Sequence, residues 1–327
     1  MENKRILITG AAGFIGFSLC RRMLSQNNDI LAIDNFSDYY DPNLKESRFK
    51  KLVEESEKRS SNKTFTFEKM DLLDKKNLNK VLYEFKPHII CHLAAQAGVR
   101  YSLENPQYYI DNNITATLNL LEVGKELDVE DFIMASTSSV YGLNSDVPFS
   151  ESSNIDTTIS PYASSKRCCE LLCHTYHHIY GIRFRILRFF TVYGPWGRPD
   201  MALFKFTDSL LKGKPIDIFN HGKMERDFTF IEDIVSGFIS AIENKYDFEI
   251  FNLGFGSTVK LDTFISELEQ CLKIKAEKNY LPIQDGDVPF TWSNISKARE
   301  MLDYNPKYDI SYGIPEFVKW YKSYNKI

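Results

Sequence analysis

A short apolar run, Arg5-Ile-Leu-Ile-Thr9, leads into Gly10-Ala-Ala-Gly13-Phe-Ile-Gly16 and then into a helix-forming stretch over 17–24. Few local patterns restrict a chain more. The run reads as a buried parallel strand, and the glycines as the turn that sends it into a helix. Gly10 permits the tight turn, Gly13 lets backbone approach a pyrophosphate, and Gly16 lets helix pack on strand. The helix N-terminus then meets the negative charge. A purely structural turn could use the same glycines, but strand, turn, helix and N-terminal position agree on dinucleotide binding. Ile30-Leu-Ala-Ile-Asp34 reads as the second strand, with Asp34 closing it about 20 residues after the fingerprint. A carboxylate there hydrogen-bonds ribose hydroxyls and repels a 2′-phosphate, which favours NAD over NADP.

The following segments repeat the strand–helix alternation of an α/β chain. The stretch 37–67 reads as an insertion carrying a helix. Residues 65–72 form the third strand, with Asp71 at its end able to face an adenine. A helix covers 73–85. Residues 88–95 form the fourth strand, and its small closing residues let ribose and phosphate lie close to the backbone. Arg100 to Pro106 reads as a loop, 107–127 as a long amphipathic helix carrying Asn112 and Asn113, and 131–139 as the fifth strand. Six cysteines are scattered, with no disulfide or zinc spacing. Cys169, Cys173 and His177 repeat every four residues on one helix. A packed face of reduced thiols is expected there, with a metal site as the alternative.

With 327 residues the chain can hold one large domain and a smaller one. A net charge of −4 argues against a general nucleic-acid or membrane-surface binder. Neither a signal peptide nor an apolar run near 18 residues is visible, so a cytoplasmic location is expected. No metal is expected.

Two further patterns carry chemistry. Residues 136–139 are four consecutive hydroxyl side chains at a strand end, where ligands bind in open parallel sheets. About 25 residues on comes Pro161-Tyr162-Ala-Ser-Ser-Lys166. On a helix, Tyr162 and Lys166 stack on one face, one turn apart. An ammonium nearby favours the phenolate and makes a tyrosine a usable base near neutral pH. The hydroxyl of Thr137 or Ser138 can share the substrate alcohol proton with it. A buried Tyr beside a solvated Lys is the alternative.

At this point the chain resembles the extended short-chain dehydrogenase/reductase family of nucleotide-sugar epimerases and dehydratases. The resemblance rests on Thr9-Gly10-x-x-Gly13-x-x-Gly16, Asp71-Leu72, His92-Leu-Ala-Ala95, the Ser136-Thr-Ser-Ser-Val-Tyr-Gly142 strand end and Tyr162-x-x-x-Lys166. It continues through Arg188-Phe-Phe-Thr-Val-Tyr-Gly-Pro195 and Arg226-Asp-Phe-Thr-Phe-Ile-Glu-Asp233. Family dehydratases and UDP-glucuronate decarboxylases place carboxylates after the threonine, whereas Ser138 and Ser139 stand here. UDP-galactose-type epimerases usually have Asn where Thr191 stands. Three strings look like UDP-glucuronate 4-epimerases: Asp34-Asn-Phe-Ser-Asp-Tyr-Tyr-Asp-Pro42, Gln96-Ala-Gly-Val-Arg-Tyr-Ser-Leu-Glu-Asn-Pro106 and Gly194-Pro-Trp-Gly-Arg-Pro-Asp-Met-Ala202.

The resemblance implies a Rossmann doubly wound parallel sheet with a smaller, interleaved C-terminal substrate domain. Residues 1–187, with part of 228–254, would bind NAD, and 188–327 a UDP-sugar. It implies interconversion of UDP-glucuronate and UDP-galacturonate through a 4-keto sugar, with NAD tightly held. The alternatives are a 4-epimerase of a neutral or N-acetylated UDP-hexose, an oxidoreductase that releases NADH, a decarboxylase, or a dinucleotide-binding regulator without catalysis. Thr137, Tyr162 and Lys166 would form the catalytic set. The cofactor set is expected to comprise Gly10, Gly13, Phe14, Ile15, Gly16, Asp34, Asn35, Asp71, Leu72, Leu93, Ala94, Ala95 and Asn112, together with Tyr162 and Lys166. On the substrate side, Ser138, Thr191 and Arg198 would meet the sugar, Phe219 uracil, Arg226 the diphosphate and Asp287 the UDP ribose. Arg100 is a weaker candidate for the uronate carboxylate. Gln284 departs from the wider pattern, where many relatives have Arg, and Glu225 stands where a basic residue is common. A homodimer through helices 107–127 and 162–180 is implied.

Overall fold

The computed structural model describes residues 3–58, 63–144 and 146–327. Its central element is a parallel sheet of β1 (Arg5–Thr9), β2 (Asp29–Asp34), β3 (Phe65–Lys69), β4 (Ile89–His92), β5 (Asp131–Thr137), β6 (Arg183–Phe189) and β7 (Phe248–Leu253). The order across it is β7-β6-β5-β4-β1-β2-β3, and each neighbouring pair is parallel. The order reverses between β1 and β4, which opens a crevice at the strand C-terminal ends. Both faces are covered at the centre of the sheet, so β1, β2 and β4 are largely apolar and buried and do not alternate. In β1, Ile6 and Ile8 enter one core and Leu7 the other.

Helices Lys75–Phe85, Ala116–Glu126 and Pro161–Tyr180 contribute to the core on one face; Phe14–Leu24 and Ile231–Glu243 contribute to that on the other. The second of these cores runs on without a break into the C-terminal part, through Phe264 and Leu268 to Ile314 and Phe317. That part holds helices Ala202–Leu211, Leu261–Leu272 and Ile310–Asn325 and several short strands. The chain leaves the sheet after Phe189 and returns for β7, so position 187 lies inside a strand.

Several boundaries differ from the sequence expectation. The stretch 37–67 is no insertion. It carries the ordinary crossover from β2 to β3, helix Pro42–Glu57, started by Pro42 and an Asp41 side chain that accepts the Asn43 N–H. Residues 59–62 within that stretch lie outside the described residues. Arg100 lies not in a loop but in the short helix Val99–Glu104, which stops at Asn105 and Pro106. The long helix after it contains a π-helical turn, Ile110–Thr115, before resuming as Ala116–Glu126. The extra residue in such a turn rotates the side chains that follow it.

Candidate active site

The glycine turn is built as its spacing predicts. Gly10 has φ +70°, and a Cβ there would lie 2.7 Å from the Ala94 nitrogen and 2.8 Å from the Leu93 carbonyl carbon. A Cβ on Gly16 would collide with the Gly10 carbonyl oxygen. The helix Phe14–Leu24 follows directly and carries no side-chain cap, so its first-turn N–H groups suit a diphosphate. Asp34 is buried; its Oδ2 accepts the Ala12 N–H at 3.0 Å and its Oδ1 the Phe36 N–H at 2.8 Å. This carboxylate therefore locks the turn to the end of β2, with lone pairs left for ribose hydroxyls. Asn35 donates to Asp71 at 2.9 Å, and Asp71 also accepts the Leu73 N–H. The glycine turn thus lies against Leu93 and Ala94 and is tied to Asp34, with the Asn35–Asp71 pair next to it at the ends of β2 and β3. Ala95 is exposed, and Leu72 is buried. The close backbone approach at Gly10 and the uncapped helix fit a dinucleotide.

A buried hydrogen-bond chain starts at Thr9, next to the turn. The Thr9 hydroxyl meets His92 Nδ1 at 2.8 Å, and His92 Nε2 meets the Thr117 hydroxyl at 2.9 Å. Burial, reinforced by the Lys166 charge, pushes the His92 pKa down to about 3, so the imidazole is neutral. Asn112, expected at the cofactor, turns back to the Tyr108 carbonyl at 2.9 Å. Its neighbour Asn113, inside the π turn, is the buried hub. It accepts the Gln96 N–H and donates to the Gln96 carbonyl and to the Ser165 hydroxyl.

Helix Pro161–Tyr180 begins at Ser160, whose side chain accepts the Ala163 N–H, with Pro161 in its first turn; Gly181 closes it at φ +71°. Tyr162 therefore sits in the first turn, and Lys166, 3 % exposed, one turn deeper. Among the described residues no hydrogen bond reaches the Tyr162 hydroxyl or the Lys166 ammonium. The helix packs on β5 and on the turn Ser138–Tyr141. A buried ionic cluster fixes it there. Glu170 accepts from Ser136 at 2.6 Å and from Arg188 at 3.0 and 2.8 Å, and Arg188 also donates to the Tyr141 hydroxyl. Burial opposes ionisation of Glu170, but the Arg188 guanidinium holds its pKa below the usual carboxylate range. Thr137 ends β5, accepts the Ser139 N–H at 3.1 Å and leaves Ser138 half-buried at the crevice.

Thr191 and Arg198 line one mostly apolar cleft with Phe14, the first residue of the glycine-turn helix. Arg198 is chelated by Asp200 at 3.0 and 2.5 Å, and the Tyr39 hydroxyl donates to the same carboxylate at 3.3 Å. Burial raises the pKa of the neighbouring Tyr39 phenol, and the Arg198 charge acts against that rise. Tyr109 packs edge-on against Tyr162 at 6.0 Å and donates to the Gly98 carbonyl.

The remaining expected residues gather in a second cluster. The Arg100 guanidinium lies 4.7 Å above the Phe219 ring and donates to Asp287 at 2.8 Å. Arg226 donates to the carbonyls of Glu225, Pro289 and Val288, with no carboxylate partner among the described residues. Burial, with the Arg100 charge adding to it and Asp287 opposing, brings its pKa down to about 10, which still leaves it cationic. A half-buried cation held only by carbonyls is a natural anion site. The Gln284 Oε1 is buried without a partner, and the Glu225 carboxylate accepts from the Thr258 hydroxyl instead of facing that site.

Sequence reasoning had given no role to Tyr39, Arg48, Gln96, Tyr109, Asp200 or the Glu170–Arg188 pair, and had placed Asn113 only on its helix. The three strings that look like UDP-glucuronate 4-epimerases contain Tyr39, Gln96 and Asp200, and in the fold they meet: Tyr39 touches Asp200 of the third and the Tyr101 ring of the second. Among the described residues no group of three His, Cys, Asp or Glu side chains is arranged to hold a metal. Burial raises the thiols of Cys169 and Cys173.

A doubly wound parallel sheet with an uncapped glycine turn at its switch point, and a Tyr–Lys helix over a hydroxyl-lined strand end, defines a dinucleotide-dependent enzyme of alcohol chemistry. The chain belongs to the NAD dependent epimerase/dehydratase family, whose profile matches residues 6–254. It is 45 % identical to UDP-glucuronate 4-epimerase 4 of Arabidopsis thaliana, over 98 % of this chain and 75 % of that protein. It is 43 % identical to UDP-glucuronate 4-epimerase of Thermodesulfobacterium geofontis, over 97 % of this chain and 95 % of that one. The crystal structure of UDP-glucuronic acid 4-epimerase from Bacillus cereus in complex with UDP-glucuronic acid and NAD superposes with a TM-score of 0.90, at 38 % identity, covering 98 % of this chain and 99 % of that one.

Proposed function

We propose that this protein is an NAD-dependent 4-epimerase that interconverts UDP-glucuronate and UDP-galacturonate. The observation that carries the reading is the Tyr162–Lys166 pair packed against a strand end bearing hydroxyls alone. Alcohol oxidation needs the pair. Protonation chemistry at C5 would need a carboxylate at 138 or 139, where Ser138 and Ser139 stand. Near full-length similarity to UDP-glucuronate 4-epimerases supports it.

A sugar C4–H is not acidic, so C4 is inverted by passing through a ketone. NAD, when bound, supplies the hydride acceptor and returns the hydride to the opposite face. Tyr162 takes the O4 proton and gives it back, with Thr137 sharing that hydrogen bond. Lys166 supports the phenolate and binds the nicotinamide ribose. Asp34 takes the adenosine ribose, and the turn of Gly10, Gly13, Phe14, Ile15 and Gly16 takes the diphosphate. Arg226 anchors the UDP phosphates, with Phe219 against uracil and Asp287 at the ribose. Ser138, Thr191 and Arg198 hold the uronate. The 4-keto sugar is a β-keto acid, so these contacts must keep its carboxylate out of the geometry for loss of CO₂. The cofactor part comprises 1–187 with part of 228–254, and the rest of 188–327 forms the sugar-nucleotide part. The protein works in the cytoplasm as a homodimer and supplies precursors for polysaccharide synthesis. Exposed Leu171, Ile179 and Tyr180 on the Tyr162 helix and Ile110 and Leu118 on the helix before it support the dimer.

The test is incubation with UDP-glucuronate, UDP-glucose and UDP-N-acetylglucosamine in separate tubes without added NAD, followed by NMR of the anomeric protons. UDP-galacturonate in the first tube alone is the expected result. Inversion of a neutral sugar only, or a UDP-pentose product, rejects the reading.

A further inference from the structure

Arg48 is fully buried, and its guanidinium has no carboxylate partner among the described residues. It projects from helix Pro42–Glu57, yet its donors end on two other parts of the chain. Nη1 donates to the Ala12 carbonyl at 2.8 Å and to the Tyr40 hydroxyl at 2.7 Å. Nη2 donates to the Trp196 carbonyl at 2.6 Å and the Gly197 carbonyl at 3.3 Å. Ala12 lies inside the glycine turn. Trp196 and Gly197 immediately precede Arg198, in a bend where the Gly197 N–H returns to Gly194 and Trp196 adopts φ +64°. Nine residues before Arg48, Tyr39 makes a second tie, donating to the Asp200 carboxylate that chelates Arg198. One segment therefore holds the cofactor turn by one side chain and the Arg198 loop by two.

We propose that Arg48 and Tyr39 are positioning residues that set loop 194–200 against the glycine turn, so that a dinucleotide on the turn and the Arg198 guanidinium at the sugar end share one register. The proposal rests on the NAD and sugar-end assignments made above. A guanidinium suits the task because its rigid fork reaches acceptors on both sides at once. A lysine ammonium is a single point with three donors and cannot keep the four contacts that the two nitrogens of the fork make. Among the described residues no other hydrogen-bonded link joins the loop to the turn; the Trp196 ring on Phe17 at 5.1 Å is an apolar contact that leaves the carbonyls unheld when the fork is lost. Small misplacements of a positioned group cost up to about 10²-fold in rate.

The test compares wild type, Arg48→Lys and Tyr39→Phe. Each is stripped of cofactor, reloaded with NAD, and assayed for bound NAD after denaturation. Amide hydrogen exchange is read over 194–201 with and without NAD, and kcat and KM are measured with UDP-glucuronate. In wild type, NAD slows exchange over 194–201. In Arg48→Lys at equal NAD occupancy, that slowing falls at least about threefold. In Tyr39→Phe, kcat falls about tenfold while KM changes less than about threefold. A wild-type exchange response in fully loaded Arg48→Lys overturns the proposal. If Arg48→Lys does not fold, Tyr39→Phe decides, because its ring packing is kept; unchanged kcat in it overturns the proposal. If wild type shows the exchange response but turns over no UDP-glucuronate, the substrate reading fails and the positioning role stands.

Discussion

Among the described residues the Tyr162 hydroxyl has no hydrogen-bond partner, on a helix that Glu170 and Ser165 tie to its neighbours. If it is the base, Tyr162→Phe will retain bound NAD and UDP affinity while turnover drops at least about 10²-fold. Near-normal turnover removes it from that role. His92 makes the opposite case, a titratable group held neutral by its surroundings. Its folded pKa is about 3, against about 6.5 for an exposed imidazole. Between those values the unfolded chain binds more protons than the folded one. Stability therefore falls as pH drops from 6.5 towards 3. The slope is about 1.4 kcal/mol per pH unit, which removes roughly 2 kcal/mol by pH 5. Urea unfolding at pH 7 and pH 5 checks this. His92→Gln, which can still bridge Thr9 and Thr117, should lose clearly less than wild type; equal losses reject the assignment.

At the scale of the element, the helix Pro161–Tyr180 is placed by Glu170 as much as by its apolar face. Glu170 and Arg188 are each 1 % exposed and bonded through two contacts. Removing Arg188 leaves the buried Glu170 carboxylate with only Arg167, at 3.2 Å, as an ionic partner among the described residues, and costs up to about 3–5 kcal/mol. Arg188→Met should show that loss in urea denaturation, and adding Glu170→Met should recover part of it. A single-variant loss below about 1 kcal/mol refutes the pairing argument. Such elements explain what the sequence could tell. The strand-turn-helix at Gly10 and the Tyr162–Lys166 pair were legible because their residues are consecutive or one helical turn apart. The helix Val99–Glu104 was hidden by its brevity and by the Asn105-Pro106 stop. The Arg48 clamp was hidden for another reason. A charged residue on a charged helix gives no local sign of burial, and its carbonyl acceptor at Trp196 lies 148 residues away. Asn112 and Asn113 could not be separated without knowing of the π turn that aims the second inward.

At the scale of the whole molecule, the homodimer proposed above would pair through the apolar side chains exposed on Pro161–Tyr180. Leu171 and Ile179 are 51 % and 60 % exposed. The double variant Leu171→Glu with Ile179→Glu should elute as a monomer under conditions where the wild type elutes as a dimer, with its NAD content kept. A monomeric wild type removes the dimer from the reading.

The late return of β7 bears on how the molecule is made. During synthesis β6 is complete at Phe189, but the strand that covers its edge, Phe248–Leu253, is translated about 60 residues later, roughly 3–12 s at ordinary elongation rates. Until then β6 offers an unpaired backbone edge to any other chain nearby. Arg185, buried in the finished protein, also lacks the Ala241 and Tyr246 carbonyls that receive it. Its bond to Asp131 is the one partner already synthesised. The nascent chain thus passes through a window in which the sheet is nearly built yet open on one side, and a ribosome stalled between those two strands would release an aggregation-prone half-product instead of a smaller working enzyme.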